Sequence, residues 1–228
     1  VYSGGQLAVQ SREGMLTQSG TLAAAGNVHL NAARGIQSSG HLLAGSNVES
    51  ALVHDANLQL DSQGDIRASG SLLGKKNVNA SGRRVDISGA QVAAGRTALA
   101  AREGGVALRQ STVDSGELAV STKGNVDAQQ AKVKAGRWAV DADNLFNQQA
   151  TWSQTGDGES RFTLAGALDN SDGTIETQSL RLSAGQLVNQ RGRLVALGET
   201  AQHWRVGGLL DNGGGTMGSN GALRLDAG

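Results

Sequence analysis

Two pairs of carboxylates are spaced for chemistry. Asp141 stands two residues before Asp143, and Asp157 two before Glu159, so on a strand both members of a pair would project from one face. Two carboxyls on one face are the equipment of polysaccharide hydrolysis, one as acid and the other as base or nucleophile. Each pair also has a plainer reading. Asp141 and Asp143 continue the alternation of Trp138 and Val140, so they close a strand and enter a turn. Asp157 and Glu159 lie in the polar, glycine-rich run 153–160, which reads as a solvated turn extension. Metal ligands are no better placed: His29, His41, His54 and His203 share no ligand spacing. The chain has no cysteine, hence no disulfide and no thiolate ligand. The Gly-Gly-x-Gly-x-Asp calcium repeat is absent. No phosphate-binding motif follows Gly207-Gly208 or Gly213-Gly214-Gly215, and no nucleophile is marked by a positioned base. The expectation is a protein that is not an enzyme and has no cofactor or metal. A polysaccharide lyase or hydrolase, carried by the acidic pairs, is the minor alternative.

Basic residues offer a second chemistry. Lysine plus arginine and aspartate plus glutamate number 20 each, a formal net charge of zero. Their distribution is uneven: residues 75–137 hold 11 basic against 5 acidic side chains, 1–74 hold 3 against 5, and 138–228 hold 6 against 10. Lys75, Lys76, Arg83, Arg84, Arg96, Lys123 and Arg137 are therefore candidate contacts for a sulfated glycan, because a guanidinium offers sulfate or carboxylate a two-pronged fork. A solvated rod surface is the plainer reading. Nucleic acid would suit the charge, but no aromatic platform accompanies it, so no nucleic-acid partner is expected.

What positions these residues is a repeat. Leu145-Phe146-Asn147, Leu168-Asp169-Asn170, Leu187-Val188-Asn189 and Leu210-Asp211-Asn212 start 23, 19 and 23 residues apart. Three copies run on to Gly173, Gly192 and Gly215 with two residues between, and then to Ile175, Leu194 and Met217. A period near 20 marks a solenoid. Between the phrases lie alternating apolar runs, such as Phe162 with Leu164 and Leu180 with Leu182, which are strand-like. Each repeat is thus one coil of a parallel β-helix, with the leucines stacked in one interior column. Asn147, Asn170, Asn189 and Asn212 form a second, structural ladder, each carboxamide bonding to the next. Composition agrees: 34 glycines serve the turns, and the absence of proline leaves every N–H free to pair with a neighbouring coil.

The first part of the chain uses a related phrase anchored on Gly26, Gly45, Gly74, Gly95, Gly116 and Gly136, at intervals of 19, 29, 21, 21 and 20. The interval of 29 places a loop or degenerate half-coil near 46–56. Aligning the glycines puts Arg96, Glu117 and Arg137 in one column. The chain is all-β, about ten or eleven coils of ~20 residues, and roughly 50 Å long at the strand spacing. Residues 1–137 form Ala/Gly-anchored coils and 138–228 Leu-x-Asn coils of one β-helix segment. No run of 18 apolar residues occurs, so no membrane insertion is expected. Val1-Tyr2-Ser3-Gly4 is neither a signal peptide nor an initiator, and both ends read as cut within the repeat of a larger protein.

The phrases 25–32 (Ala-Gly-Asn-Val-His-Leu-Asn-Ala), 168–175 (Leu-Asp-Asn-Ser-Asp-Gly-Thr-Ile) and 187–194 (Leu-Val-Asn-Gln-Arg-Gly-Arg-Leu) resemble the repeat regions of filamentous haemagglutinins. The resemblance covers essentially the whole chain, in two tandem dialects. It implies a right-handed β-helical shaft of a large exoprotein, exported by a Gram-negative bacterium through an outer-membrane two-partner-secretion transporter and displayed at the cell surface. Relatives of this kind include adhesins that bind host cells and sulfated glycans, and contact-dependent growth-inhibition toxins. The expected role is therefore a shaft segment of a secreted adhesin, a virulence factor with heparin-type binding, and the alternative is a toxin shaft. Neither the family's export motif nor a toxin-like end is found, and its repeats carry no catalytic residues.

Overall fold

The computed structural model describes residues 1–228 and consists of 28 strands and their turns, without a helix. No helix, therefore, is long and apolar enough to cross a membrane. Every named strand pairs in parallel with its equivalent one coil away, as Thr112 pairs with Lys132 and Lys132 with Thr151. The result is a β-solenoid of about 11 coils averaging ~21 residues.

Each coil has three faces. The first carries strands such as Thr21–Ala24 and Thr174–Thr177, the second strands such as Val28–Ala32 and Ser179–Ala184. In four coils these two faces are one bent strand, Ser71–Gly82, Gln91–Ala101, Thr112–Thr122 and Lys132–Ala142. They consequently merge into one 18-stranded sheet, while the third face is a separate sheet of ten short strands from Met15–Gln18 to Leu210–Asp211.

Alternation drives this geometry. In Glu159–Leu164 exposed and buried residues take strict turns, so the inward set of each face meets the inward sets of the other two. Fifty buried residues form one continuous core. Leu145, Leu168, Leu187 and Leu210 lie one above another on the third face. Each fully buried Leu contributes roughly 1.5–3 kcal/mol. Near the change of dialect the interior is filled by Trp138, Trp152 and Phe162, whose ring centroids lie 5.3–6.0 Å apart in edge-on and tilted contacts.

The corners explain the glycine phrase. At the bend between first and second faces, a Cβ on Gly116 would meet the carbonyl oxygen of Gly95 at 2.5 Å, and one on Gly156 that of Gly136 at 2.8 Å. The opposite bend, from third face to first, takes a left-handed residue in every coil from Gly89 onward. Gln110, Gln130, Gln149, Asp172 and Arg191 adopt φ of 53–59° there, with Gly89 and Gly214 at the equivalent places. Gln110, Gln130 and Gln149 link side chain to side chain at 2.9 Å along the exterior.

Two insertions leave the cross-section intact. The partner offset rises from 20 at Ala24–Ala44 to 30 at Val28–Leu58, and the extra residues form an excursion over 46–55. It is closed by an antiparallel bridge from Ser46 to Leu52 and by Asn47 Oδ1, which accepts from the amides of Glu49 and Ala51. A smaller step, from 19 at Ala135–Gln154 to 22 at Ala139–Arg161, puts a turn at 155–158.

Candidate functional site

The asparagine file lies at the bend after the third face. Asn147 Nδ2 donates to Asn170 Oδ1 at 2.7 Å, Asn170 to Asn189 at 2.7 Å, and Asn189 to Asn212 at 2.6 Å. The first three are fully buried. The second N–H of Asn170 reaches the carbonyls of Gly173 and Arg193, and that of Asn189 those of Gly192 and Thr216. The glycine three residues on is a steric requirement: a Cβ on Gly192 would fall on the carbonyl oxygen of Asn170 and meet Asn189 Oδ1 at 2.6 Å. Upstream the same file holds buried apolar residues, Ile87, Leu108 and Ala128. Asn147 therefore begins the ladder, and its Oδ1 has no donor. The change of dialect is this exchange of an apolar turn residue for a self-pairing amide.

Outside the third face, aspartates occupy alternate coils: Asp86, Ala107, Asp127, Phe146, Asp169, Val188 and Asp211 share one file. Skipping a coil keeps carboxylates from stacking at ~5 Å. Each Asp accepts from the amide two residues on. Three also accept from the preceding coil: Arg109 reaches Asp127 at 2.6 Å, Gln148 reaches Asp169 at 2.5 Å, and Gln190 reaches Asp211 at 2.6 Å. The Gln190 hydrogen bond, then the Gly213 amide, holds the Asp211 carboxyl below its ordinary range.

The seven basic candidates divide between two corners. Lys75, Lys76, Arg96 and Arg137 stand where the first face bends into the second; Arg83, Arg84 and Lys123 stand in the turns between second and third. Several are already engaged. Glu117 lies between Arg96 at 3.5 Å and Arg137 at 3.0 Å, Arg83 pairs with Asp65 at 3.0 Å, and Lys75 lies 3.7 Å from Asp55. Lys76, Arg84 and Lys123 form no ion pair.

The members of each acidic pair stand on different local structures, one on a strand and one in a turn. Asp141 faces outward between Ser121 and Thr163, while Asp143 sits in the following turn and accepts from Asn144 at 3.0 Å. Glu159 is held by both prongs of Arg181, at 3.0 and 3.3 Å, and Asp157 stays in the adjoining turn. The histidines scatter: His29 pairs with Asp61 at 3.0 Å, His41 with Ser71 at 3.0 Å and His203 with Asp226 at 2.6 Å, and His54 lies on the excursion. No three His, Asp or Glu side chains converge as a metal site would require.

One charged arrangement escapes the sequence reading. Arg161, Arg181, His203 and Arg224 occupy consecutive coils of a single outward file on the second face. The signal for it lies in the alternating runs, as the outward slot beside Phe162, between Leu180 and Leu182, and between Leu223 and Leu225. Regional charge counting hides it, because 138–228 is acidic as a whole.

A family model described as the haemagglutinin repeat matches the chain twice, over residues 2–70 and 51–130, together more than half of its length. No curated protein and no solved structure matches it.

Proposed function

The chain belongs to the haemagglutinin repeat family, and from that premise we propose that it is a shaft segment of a secreted bacterial surface adhesin. The family points to a secreted or surface bacterial protein, structural in role and of the kind exported by two-partner secretion. The observation that carries the shaft reading is the constancy of the cross-section. Each coil hands its backbone hydrogen bonds to the next, so added coils add length without changing shape. At ~4.8 Å per coil the segment projects whatever it carries by roughly 50 Å. In this reading it is part of a longer chain, leaves the cell through an outer-membrane transporter of a Gram-negative bacterium, and stacks coil upon coil outside.

The finer choice between an adhesin and a growth-inhibition toxin is tested in the producing bacterium. In-frame removal of residues 1–228 should lower adherence to host cells while surface display and competition with neighbouring bacteria stay unchanged. Loss of contact-dependent killing with adherence intact would instead make it the shaft of a toxin. A glycan contact through the middle band has support from the unpaired Lys76, Arg84 and Lys123. Replacing those three with Ala should then advance elution from heparin, most clearly at low salt, and unchanged elution rejects it.

A further inference from the structure

The file that ends in Arg224 changes character along the rod. His29, Gln59 and Asn79 give way to Ala98, Ala119 and Ala139, and these to Arg161, Arg181, His203 and Arg224. Members of the last group stand ~4.8 Å apart, about the length of one sugar ring. Arg205 stands beside them, two residues after His203 and directly over Ser183 in its own file. The acids nearby are Glu159, bonded to Arg181; Asp226, bonded to His203 at 2.6 Å and to Arg224 at 3.0 Å and stacked by register over Arg205; and Asp141, one coil before Thr163 and diagonal to Arg161. Four arginines against three carboxylates leave the strip positive even with His203 neutral, and Arg161 and Arg205 enter no ion pair. A shallow depression of about 220 Å³ opens on it, lined by Ser179, Arg181, Ser183, His203 and Arg205 among others.

We propose that this strip binds a linear acidic polysaccharide laid along the coil axis, one carboxylate or sulfate to each coil. The guanidinium forks supply directional pairs of donors, and the serine hydroxyls suit the polar edges of a sugar. Nucleic acid is the poorer occupant, since it calls for exposed aromatic platforms and Trp138, Trp152, Phe162 and Trp204 are all buried. The proposal takes its ligand class from the glycan reading above, and moves the grip from two separated corners to one straight file.

The probes are immobilised polygalacturonate and dextran sulfate, with single-stranded DNA as the competing class. Arg161→Ala with Arg205→Ala removes the two unpaired cations and orphans no carboxylate. That pair is expected to weaken retention of the polysaccharides about tenfold with the melting temperature unchanged, a clearly larger loss than the triple Ala variant of Lys76, Arg84 and Lys123 gives. Should the alanine pair melt early, Arg161→Gln with Arg205→Gln replaces it under the same expectation. Equal losses from both variants, no retention of the unaltered protein, or tighter binding of DNA would overturn the proposal. A loss confined to the triple variant would also overturn it, while leaving the glycan reading of the middle band standing.

Discussion

Asn147 and Asn189 carry the same carboxamide in the same file, yet their replacement should cost different amounts. Asn147 forms one ladder bond and already leaves its Oδ1 unpaired, whereas Asn189 is bonded to Asn170, Asn212, Gly192 and Thr216. Leucine, close in volume and already present in this file as Leu108, removes the amide with little change of packing. Asn189→Leu takes the acceptor from one N–H of the buried Asn170 and the donor from Asn212 Oδ1, and should cost about 2–4 kcal/mol. Asn147→Leu takes only the donor from Asn170 Oδ1, removes an oxygen that was already unpaired, and should cost about 1 kcal/mol. In thermal melts, ~1 kcal/mol is worth about 2–4 °C for a chain of this size; equal shifts for the two variants would remove the ladder from the stability argument. Asp172 and Arg191 make an acid-dependent contribution of another kind. Their two-pronged contact, 2.7 Å at each prong, lowers the Asp172 carboxyl below its ordinary value, mainly through the hydrogen bond from Arg191. A lowered carboxyl stabilises the fold above the unfolded value of ~3.9, and the contribution is lost as pH falls through the folded value below it. Asp172→Asn should therefore leave less acid dependence between pH 5 and pH 3 in urea midpoints, and an unaltered slope would count against the pair.

At the scale of elements, the excursion over 46–55 is separable from the coil that bears it. In the next coil Gly74 and Asn77 are joined by two residues, and the same two-residue span would remain if 46–55 were excised to leave Gly45 and Ala56 between Ala44 and Asn57. Leu43, in the strand that leads into the excursion, is outward by register yet only 4 % exposed. Excision is expected to cost about 1–2 kcal/mol from its exposure and to leave the circular dichroism spectrum of the sheet unchanged; loss of that spectrum would make the excursion part of the core. This element was legible in the chain as an interval of 29 among intervals near 20, because the spacing of glycine corners is enforced sterically. The Leu-x-Asn-x-x-Gly phrase was legible for a related reason, as a Cβ at Gly192 has nowhere to go. Side chains on the outside answer to no such constraint. Arg83 and Arg84 are near neighbours of Arg96 in the chain but stand at a different corner of the coil. The Arg161 file, conversely, draws its members from separate coils, behind two insertions that shift the count. Membership of an outward file follows from the register of paired strands, and that register becomes fixed only when the coils stack.

For the molecule as a whole, the alternation of aspartates implies a structural unit of two coils laid over a geometric unit of one. Removing residues 112–131 takes out one coil and lets Lys132 follow Ser111. The interior still matches, since Trp138 would then stack on Thr97 where it now stacks on Leu118. The outside does not. Arg96 would meet Arg137 without Glu117 between them, Ala107 would lie against Phe146, and Arg109 would lose Asp127. Removing residues 91–131 takes out two coils and joins Ala90 to Lys132. Asp86 then meets Phe146, which meets Asp169, so the alternation survives, and Arg137 falls over the neutral Asn77 of its file instead of over Arg96. In a stack whose stability is a sum over neighbouring coils, removing more coils should cost more. The matched outer files predict the opposite order, with the one-coil deletion melting several degrees below the two-coil deletion. A deletion of 112–121 breaks the coil midway, turns inward side chains outward, and should not fold. Melting temperatures that fall in proportion to the number of coils removed would reduce the two-coil unit to a coincidence of sequence. The expected order would make it the period at which this rod can be lengthened or shortened without penalty.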